Sequence, residues 1–137
     1  LTMADTVATQ TISDGAQFAT FKFTNASDGS GEAAVKKIDA SALVVNPVTK
    51  QACSSVSIYG IWYSTIGMSV TIDFDASSNV LAWNLIADYS DNLDFSSFSG
   101  IPNNAGSGVT GDIDFTTVGH SNGDSYTIVM KVLKHYG

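Results

Sequence analysis

Apolar and polar side chains alternate most clearly in residues 68–75. The even positions are apolar and the odd positions polar: Met68, Val70, Ile72 and Phe74 against Ser69, Thr71, Asp73 and Asp75. Because successive side chains of a strand point to opposite faces, this pattern predicts a strand with one dry and one wet face. Residues 57–63 predict a second strand before it, and Gly67 between them can adopt the positive φ of a tight connection. The two strands therefore predict a central β-hairpin.

The first strand of this hairpin is apolar on both faces. A strict alternation places Ile58 and Trp62 on one face, and Tyr59, Ile61 and Tyr63 on the other. A strand of this kind is buried on both faces, or it covers a partner with the second. Trp and Tyr are enriched at subunit interfaces. We therefore take Tyr59, Ile61, Trp62 and Tyr63 as candidate residues of an oligomer or shell interface.

Further strands follow from the same pattern along the chain. They are predicted at residues 18–24, 80–87, 112–117 and 125–135, and Gly, Asn and Asp residues typical of turns separate them, as in the loop predicted at residues 25–31. About seven to nine short strands at hairpin spacing, with no long helix and no repeat, indicate an all-β class. We expect an antiparallel β-sandwich or a jelly-roll-like single domain.

The segment 32–45 fits two interpretations. Its composition and the spacing of its apolar residues allow a short helix, whereas its alternation allows a strand followed by a turn near residues 39–41. Because the flanking segments are all predicted strands, the strand is preferred and the helix stays as the alternative.

The segment 88–111 predicts a long loop. It is rich in Asp, Ser and Gly, yet four apolar residues punctuate it: Leu93, Phe95, Phe98 and Ile101. A long loop that carries its own apolar side chains is packed against the domain, and such loops are often functional. The fold prediction therefore includes a long packed loop near 88–111.

The first fourteen residues are predicted to stand apart from the domain formed by residues 15–137. Residues 6–12 are small, prone to β-structure and uncharged, and their larger apolar side chains are Val7 and Ile12. A terminal segment of this kind is typically a flexible arm or a strand that adds to another chain. Val7 and Ile12 are therefore further candidates for the interface.

The composition of the chain narrows the classes of function that are expected. The chain has 13 acidic and 6 basic residues, a net charge of −7 and no arginine. Nucleic-acid binding and attachment to anionic membranes both depend on clustered Lys and Arg. We therefore expect this chain to bind neither nucleic acid nor a membrane. No apolar run approaches the roughly 20 residues of a membrane span. The single cysteine, Cys53, has no activating neighbour in sequence and is expected to be a buried small apolar residue.

Motifs that could carry chemistry are incomplete. The oxygen ligands in residues 73–79 open with the spacing of a calcium loop, but Ser78 stands at the glycine position and Asn84 at the position of the final Glu. Three acidic residues, Asp88, Asp91 and Asp94, could bind a cation or act as the paired carboxylates of a glycosidase. Their spacing in sequence alone cannot place two of them in one cleft.

The two histidines, His120 and His135, have no second histidine at metal spacing. No catalytic, cofactor or metal residue is therefore assigned, and the chain is expected not to be an enzyme.

A resemblance to a known group rests on three stretches: FKFTNASDGSGEAAVKKIDASAL, VSIYGIWYSTIGMSVTIDFD and LDFSSFSGIPNNAGSGVTGDIDFTTVGHSNGDSYTIVM. They resemble small virion proteins encoded near the head genes of tailed bacteriophages, a group whose members are often predicted to be head decoration, or cement, proteins. The resemblance brings no catalytic motif. It implies a structural protein on the outer surface of the capsid, with the major capsid protein and copies of itself as partners, a homotrimer first and a dimer second.

A second hypothesis comes from the aromatic and acidic residues. Trp62, Tyr63 or Trp83 could form a stacking platform for a sugar ring, with Asp88 or Asp91 accepting hydrogen bonds from its hydroxyl groups. The alternative function is therefore a carbohydrate-binding or adhesion module of a phage fibre or a cell surface.

Overall fold

The computed structural model describes residues 5–136 of the chain. Over these residues it contains nine strands and two 3₁₀ helices of one turn each. The strands are β1 (Thr6–Asp14), β2 (Phe18–Asp28), β3 (Val35–Ile38), β4 (Cys53–Ile66), β5 (Ser69–Phe74), β6 (Val80–Leu85), β7 (Ser90–Asp94), β8 (Ile113–Val118) and β9 (Asn122–Tyr136). Within the same residues no helix has the length and apolarity needed to cross a membrane.

The strands form two antiparallel sheets that pack face to face. One sheet has five strands in the order β1-β2-β9-β4-β7, and the other has four in the order β3-β8-β5-β6. The core lies between them, and an edge-to-face contact between Phe23 and Phe115, with ring centroids 5.1 Å apart, joins the two layers. The predicted all-β sandwich is confirmed.

The alternation in residues 68–75 is also confirmed. Met68, Val70, Ile72 and Phe74 are fully buried, while Ser69, Thr71 and Asp73 retain partial exposure. The same holds for the last strand, where Tyr126, Ile128, Met130 and Val132 all face the core. Burial of each such side chain is worth roughly 1.5–3 kcal/mol, so these apolar faces hold the layers together.

The predicted central hairpin is wrong, because its two strands lie in different sheets. β4 pairs with β9 and β7, whereas β5 pairs with β6 and β8. Each strand buries its apolar face in the same core, and the connection therefore crosses from one layer to the other. Gly67 supplies the predicted positive φ, at +77°, and its N–H donates to Asp88 Oδ1 at 2.7 Å.

A β-bulge in β4 changes which side chains face the core. The register pairs Ile58 with Val132 and then Gly60 with Lys131, so Tyr59 is an extra residue. As a result Ile61 and Tyr63 are 0% and 7% exposed. Their prediction as surface interface residues is corrected, because both belong to the core.

The N-terminal segment is a strand of the chain's own sheet. Residues 6–14 form β1 and pair with β2, so from Thr6 onward the predicted arm adds to its own domain. The part of the prediction that concerns residues 1–4 lies outside the described residues. β2 itself extends to Asp28 and takes in the first half of the predicted loop 25–31, because Asn25 and Ala26 still pair with β1 on one side and β9 on the other.

The structure also tests the predictions for segments 32–45 and 88–111. Residues 32–45 contain the preferred strand, β3, followed by a 3₁₀ helix at Ala40–Ala42 where the turn was predicted. Residues 88–111 are packed through three of the four predicted apolar residues, since Phe95 is buried, Leu93 is partly buried and Ile101 bridges to Ile58. The fourth, Phe98, is 61% exposed. This segment also contains β7 and a 3₁₀ helix at Ser96–Phe98, which the sequence pattern did not reveal.

Candidate functional site: the outer face around Trp62

Trp62 is the large aromatic residue that the bulge in β4 leaves on the outer face of the five-stranded sheet. Its side chain is 42% exposed. Its register partners are Val129 on β9 and Asn92 on β7, so it stands between two strands rather than at the rim of the sheet. Gly60, two residues earlier, shares this face.

The indole of Trp62 lies close to Gly60. A Cβ atom placed there would be 3.7 and 3.8 Å from the Cη2 and Cζ3 atoms of the Trp62 ring. These are ordinary van der Waals distances, so the six-membered ring lies beside position 60. The indole therefore extends along the sheet towards position 60.

Shallow grooves lie on both sides of the indole. One has a volume of about 240 Å³, and its lining includes Tyr59, Asp94, Ser96 and Lys131. The other has a volume of about 370 Å³, and its lining includes Ser64, Ser90, Asp91 and Thr127. Trp62 and Asn92 line both grooves. We call this surface, with Trp62 and Asn92 at its centre, the Trp62 face.

A lysine on this face is held by two aromatic rings. The Lys131 Nζ lies 4.4 Å from the ring centroid of Phe18 and 5.3 Å from that of Tyr59. The two rings contact each other edge to face, with centroids 4.9 Å apart. Cation–π contacts of this kind are worth about 0.5–1 kcal/mol each at exposed sites. They fix the ammonium group at the end of the smaller groove.

The acidic residues of segment 88–111 each accept a hydrogen bond from a backbone N–H group, and they do not converge on one site. Asp88 accepts from the Gly67 N–H, Asp91 from the Asn92 N–H at 2.7 Å, and Asp94 from the Ser96 N–H at 2.8 Å. The hydrogen bonds from Ser96 lower the pKa of Asp94. In residues 5–136 no group of three or more His, Cys, Asp or Glu side chains is arranged to hold a metal ion.

The other predicted residues are dispersed. Trp83 lies on β6 of the opposite sheet and packs on Phe95, with ring centroids 5.1 Å apart, so it cannot share a platform with Trp62. His120 contacts Thr117, and His135 contacts Ser57. Cys53 is buried, and burial raises the pKa of its thiol.

A buried carboxyl group that the sequence did not single out is Asp114 on β8. Its Oδ2 accepts from Asn79 Nδ2 at 3.1 Å, while its Oδ1 has no hydrogen-bond partner. Burial, together with the neighbouring carboxyl of Asp75, raises the pKa of Asp114 to about 6. The folded state therefore binds this proton more tightly than the unfolded chain does, and ionisation of Asp114 above about pH 6 costs folding stability. Only tertiary packing reveals this, because in sequence Asp114 is one acidic residue in an alternating strand.

This raised pKa predicts a pH-dependent effect of Asp114→Asn. The contribution of a group with a raised folded pKa is fully present below its unfolded value, near pH 4, and is lost as the pH rises through about 6. At pH 8 the variant should be more stable than the wild type by about 1–2 kcal/mol. The gain should disappear towards pH 4. Urea unfolding across this pH range measures it, and a variant that is less stable at pH 8 would contradict the assignment.

The second exposed surface is the free edge of β1. Every side chain from Thr6 to Ser13 is exposed, and Val7 and Ile12 are 47% and 50% exposed. A bulge interrupts the pairing with β2 between Thr11 and Ser13, whereas residues 6–11 are in regular register. None of residues 6–13 is charged. Both predicted interface residues of this segment are thus at the surface.

Comparison with known proteins gives no match: no protein-family model, no curated protein and no solved structure aligns significantly with this chain. Two exposed surfaces of this chain, the Trp62 face and the β1 edge, are available for binding, and the chemistry of their residues indicates what they can bind.

Proposed function

We propose that this chain is a non-enzymatic virion structural protein that decorates the outer surface of a phage head. In this function it associates with copies of itself, as a trimer or else a dimer, and with the major capsid protein. The observation that carries the proposal is the long, uncharged edge presented by β1. The resemblance of three sequence stretches to small phage head proteins supplies the setting.

The β1 edge has the properties of a strand-addition site. A strand at the edge of a sheet offers one row of backbone N–H and C=O groups that its own sheet does not use. Natural edges are usually blunted by Lys, by Pro or by being very short. Over residues 6–11 this edge has none of these protections, and its side chains are small. A protein that adheres to copies of itself has a reason to keep such an edge open.

The charge of the chain is compatible with a protein partner. A net charge of −7 with no arginine keeps the free chain soluble and away from nucleic acid. Copies of the chain repel each other through charged side chains elsewhere on the surface, because residues 6–13 carry no charge. Two copies that meet along β1 therefore do not bring like charges into direct opposition over that stretch.

Placing lysines on this edge should abolish self-association. We expect the double substitution Val7→Lys/Ile12→Lys to reduce the solution mass to that of a monomer and to lower binding to assembled heads by at least about tenfold. Mass measurement by light scattering, and co-sedimentation with heads that lack the protein, test the two effects.

A matched control places the same charges elsewhere. Val48 is 87% exposed in a loop and Val109 is also exposed, so Val48→Lys/Val109→Lys adds two positive charges away from β1. This variant should keep the mass and the binding of the wild type. A wild-type chain that is strictly monomeric and does not bind heads would refute the proposal.

A further inference from the structure

We propose that the Trp62 face binds a neutral saccharide, with a pyranose ring stacked on the indole. This binding site is independent of the proposed assembly through β1, because the two surfaces share no residue. It would give a decorated particle an affinity for glycans on a surface.

The indole is presented as a platform. Trp62 lies on β4 between the partner strands β7 and β9, and its six-membered ring lies beside Gly60. A partly exposed aromatic ring that rests along a sheet offers one face to the solvent. The carbon-bound hydrogens of a pyranose form an apolar patch of similar size, and a Trp ring combines such apolar contact with a polar N–H at its rim.

Polar groups line both grooves beside the indole, where they can hydrogen-bond with the hydroxyl groups of a stacked sugar. Asn92 lines both grooves, and its amide can donate and accept. Asp91, Ser90 and Thr127 line the larger groove, while Asp94 and Lys131 line the smaller one. An apolar platform with a few polar groups around it is the usual composition of a small-molecule site.

The charges select a neutral ligand. Asp91 and Asp94 place one carboxylate in each groove, and the chain as a whole carries −7. The one ammonium group of this face, on Lys131, already lies against the rings of Phe18 and Tyr59. A sialic acid or a uronic acid would bring its own carboxylate towards these groups, and like charges repel.

The shape of the site sets its strength. Both grooves are shallow, and their volumes of about 240 and 370 Å³ suit a single ring on each side of the indole. A site that covers only part of its ligand gains little surface burial, so we expect a Kd in the millimolar range, roughly 4 kcal/mol of binding free energy. Many copies on one particle would raise the avidity by orders of magnitude.

Tryptophan fluorescence can test the site directly, because the chain has only two tryptophans. The variant Trp83→Phe leaves Trp62 as the single indole reporter. It would be titrated with maltohexaose, cellohexaose, chitohexaose and a galacto-oligosaccharide, and with a sialylated and a uronic-acid oligosaccharide as anionic probes. We expect at least one neutral probe to change the emission with saturation below about 10 mM, and the anionic probes to have no effect.

Variants separate binding from folding. With saturation-transfer NMR as the readout, Trp62→Ala and Asn92→Ala should each weaken the neutral probe at least tenfold, Trp62→Tyr should retain part of the affinity, and Trp83→Phe should retain all of it. Binding of no neutral probe, binding of anionic probes alone, or unchanged binding by Trp62→Ala would overturn the proposal. Because β1 is untouched in all these variants, their solution mass reports separately on the proposed assembly.

Discussion

Replacing Lys37 with methionine is expected to destabilise the domain by about 3 kcal/mol or more. The Lys37 Nζ lies 2.5 Å from Glu32 Oε2, and both side chains are only 5% exposed. Glu32 Oε1 accepts from Tyr126 at 2.6 Å and from Asn25 at 2.7 Å. Removing the lysine leaves this buried carboxylate without its counter-charge. Urea unfolding at pH 7 measures the loss.

A double-mutant cycle distinguishes the ion pair from a packing defect. In Glu32→Gln/Lys37→Met the buried charge is absent, so this variant should regain about 1–2 kcal/mol relative to Lys37→Met. The neighbouring Lys36→Met removes a lysine that is half exposed and pairs with Asp112 at 2.9 Å, and because solvent screens this pair the loss should be clearly smaller than that of Lys37→Met. Equal losses for Lys36→Met and Lys37→Met would contradict the buried-pair explanation.

An alanine at position 111 is expected to lower the free energy of unfolding by about 3–5 kcal/mol. Gly111 has φ of +85°, and a Cβ atom there would lie 1.9 Å from the carbonyl oxygen of Ser54 and 2.8 Å from its carbonyl carbon. The obstacle is the backbone at the start of β4, which cannot rotate away as a side chain can. The connection into β8 would therefore have to shift. Thermal and urea unfolding of Gly111→Ala measure the effect.

Two other glycines provide matched controls. Gly123 also has a positive φ, +96°, but nothing lies within 4 Å of its Cβ position, so Gly123→Ala should show the conformational penalty alone, about 1–2 kcal/mol. Gly106 has open space and no positive φ, so Gly106→Ala should change stability by less than about 1 kcal/mol. A Gly111→Ala variant no less stable than Gly123→Ala would show that the close approach to Ser54 is unimportant.

Period-2 alternation carried most of the fold prediction. Residues 68–75 and 126–132 bury one face as the sequence indicates, because burial of that face is what selects such a pattern. Alternation does not state which strands are neighbours. β4 and β5 are adjacent in sequence and both amphipathic, yet hydrogen-bond to different partners, and this choice depends on β8 and β9 near the end of the chain.

The bulge explains why the candidate site was only partly predictable. Its one extra residue, Tyr59, leaves the aromatic composition of residues 57–63 unchanged but moves Ile61 and Tyr63 into the core. Trp62 remained on the surface as predicted. Its neighbours on β7 could not be foreseen, because that strand is rich in Asp, Ser and Asn and lies at the edge of the sheet, where apolar alternation is not required.

The position of β9 has a consequence for how the protein is made. This last strand lies between β2 and β4 in the middle of the five-stranded sheet. During translation, β2 and β4 emerge from the ribosome before β9. Each can pair on one side, with β1 and with β7, but the edges that β9 will later cover stay open to other nascent chains. Closure of the five-stranded sheet therefore waits until β9 has been synthesised, and pairing over such sequence distances is slow. High expression rates should accordingly favour aggregation at this stage, before the domain can close.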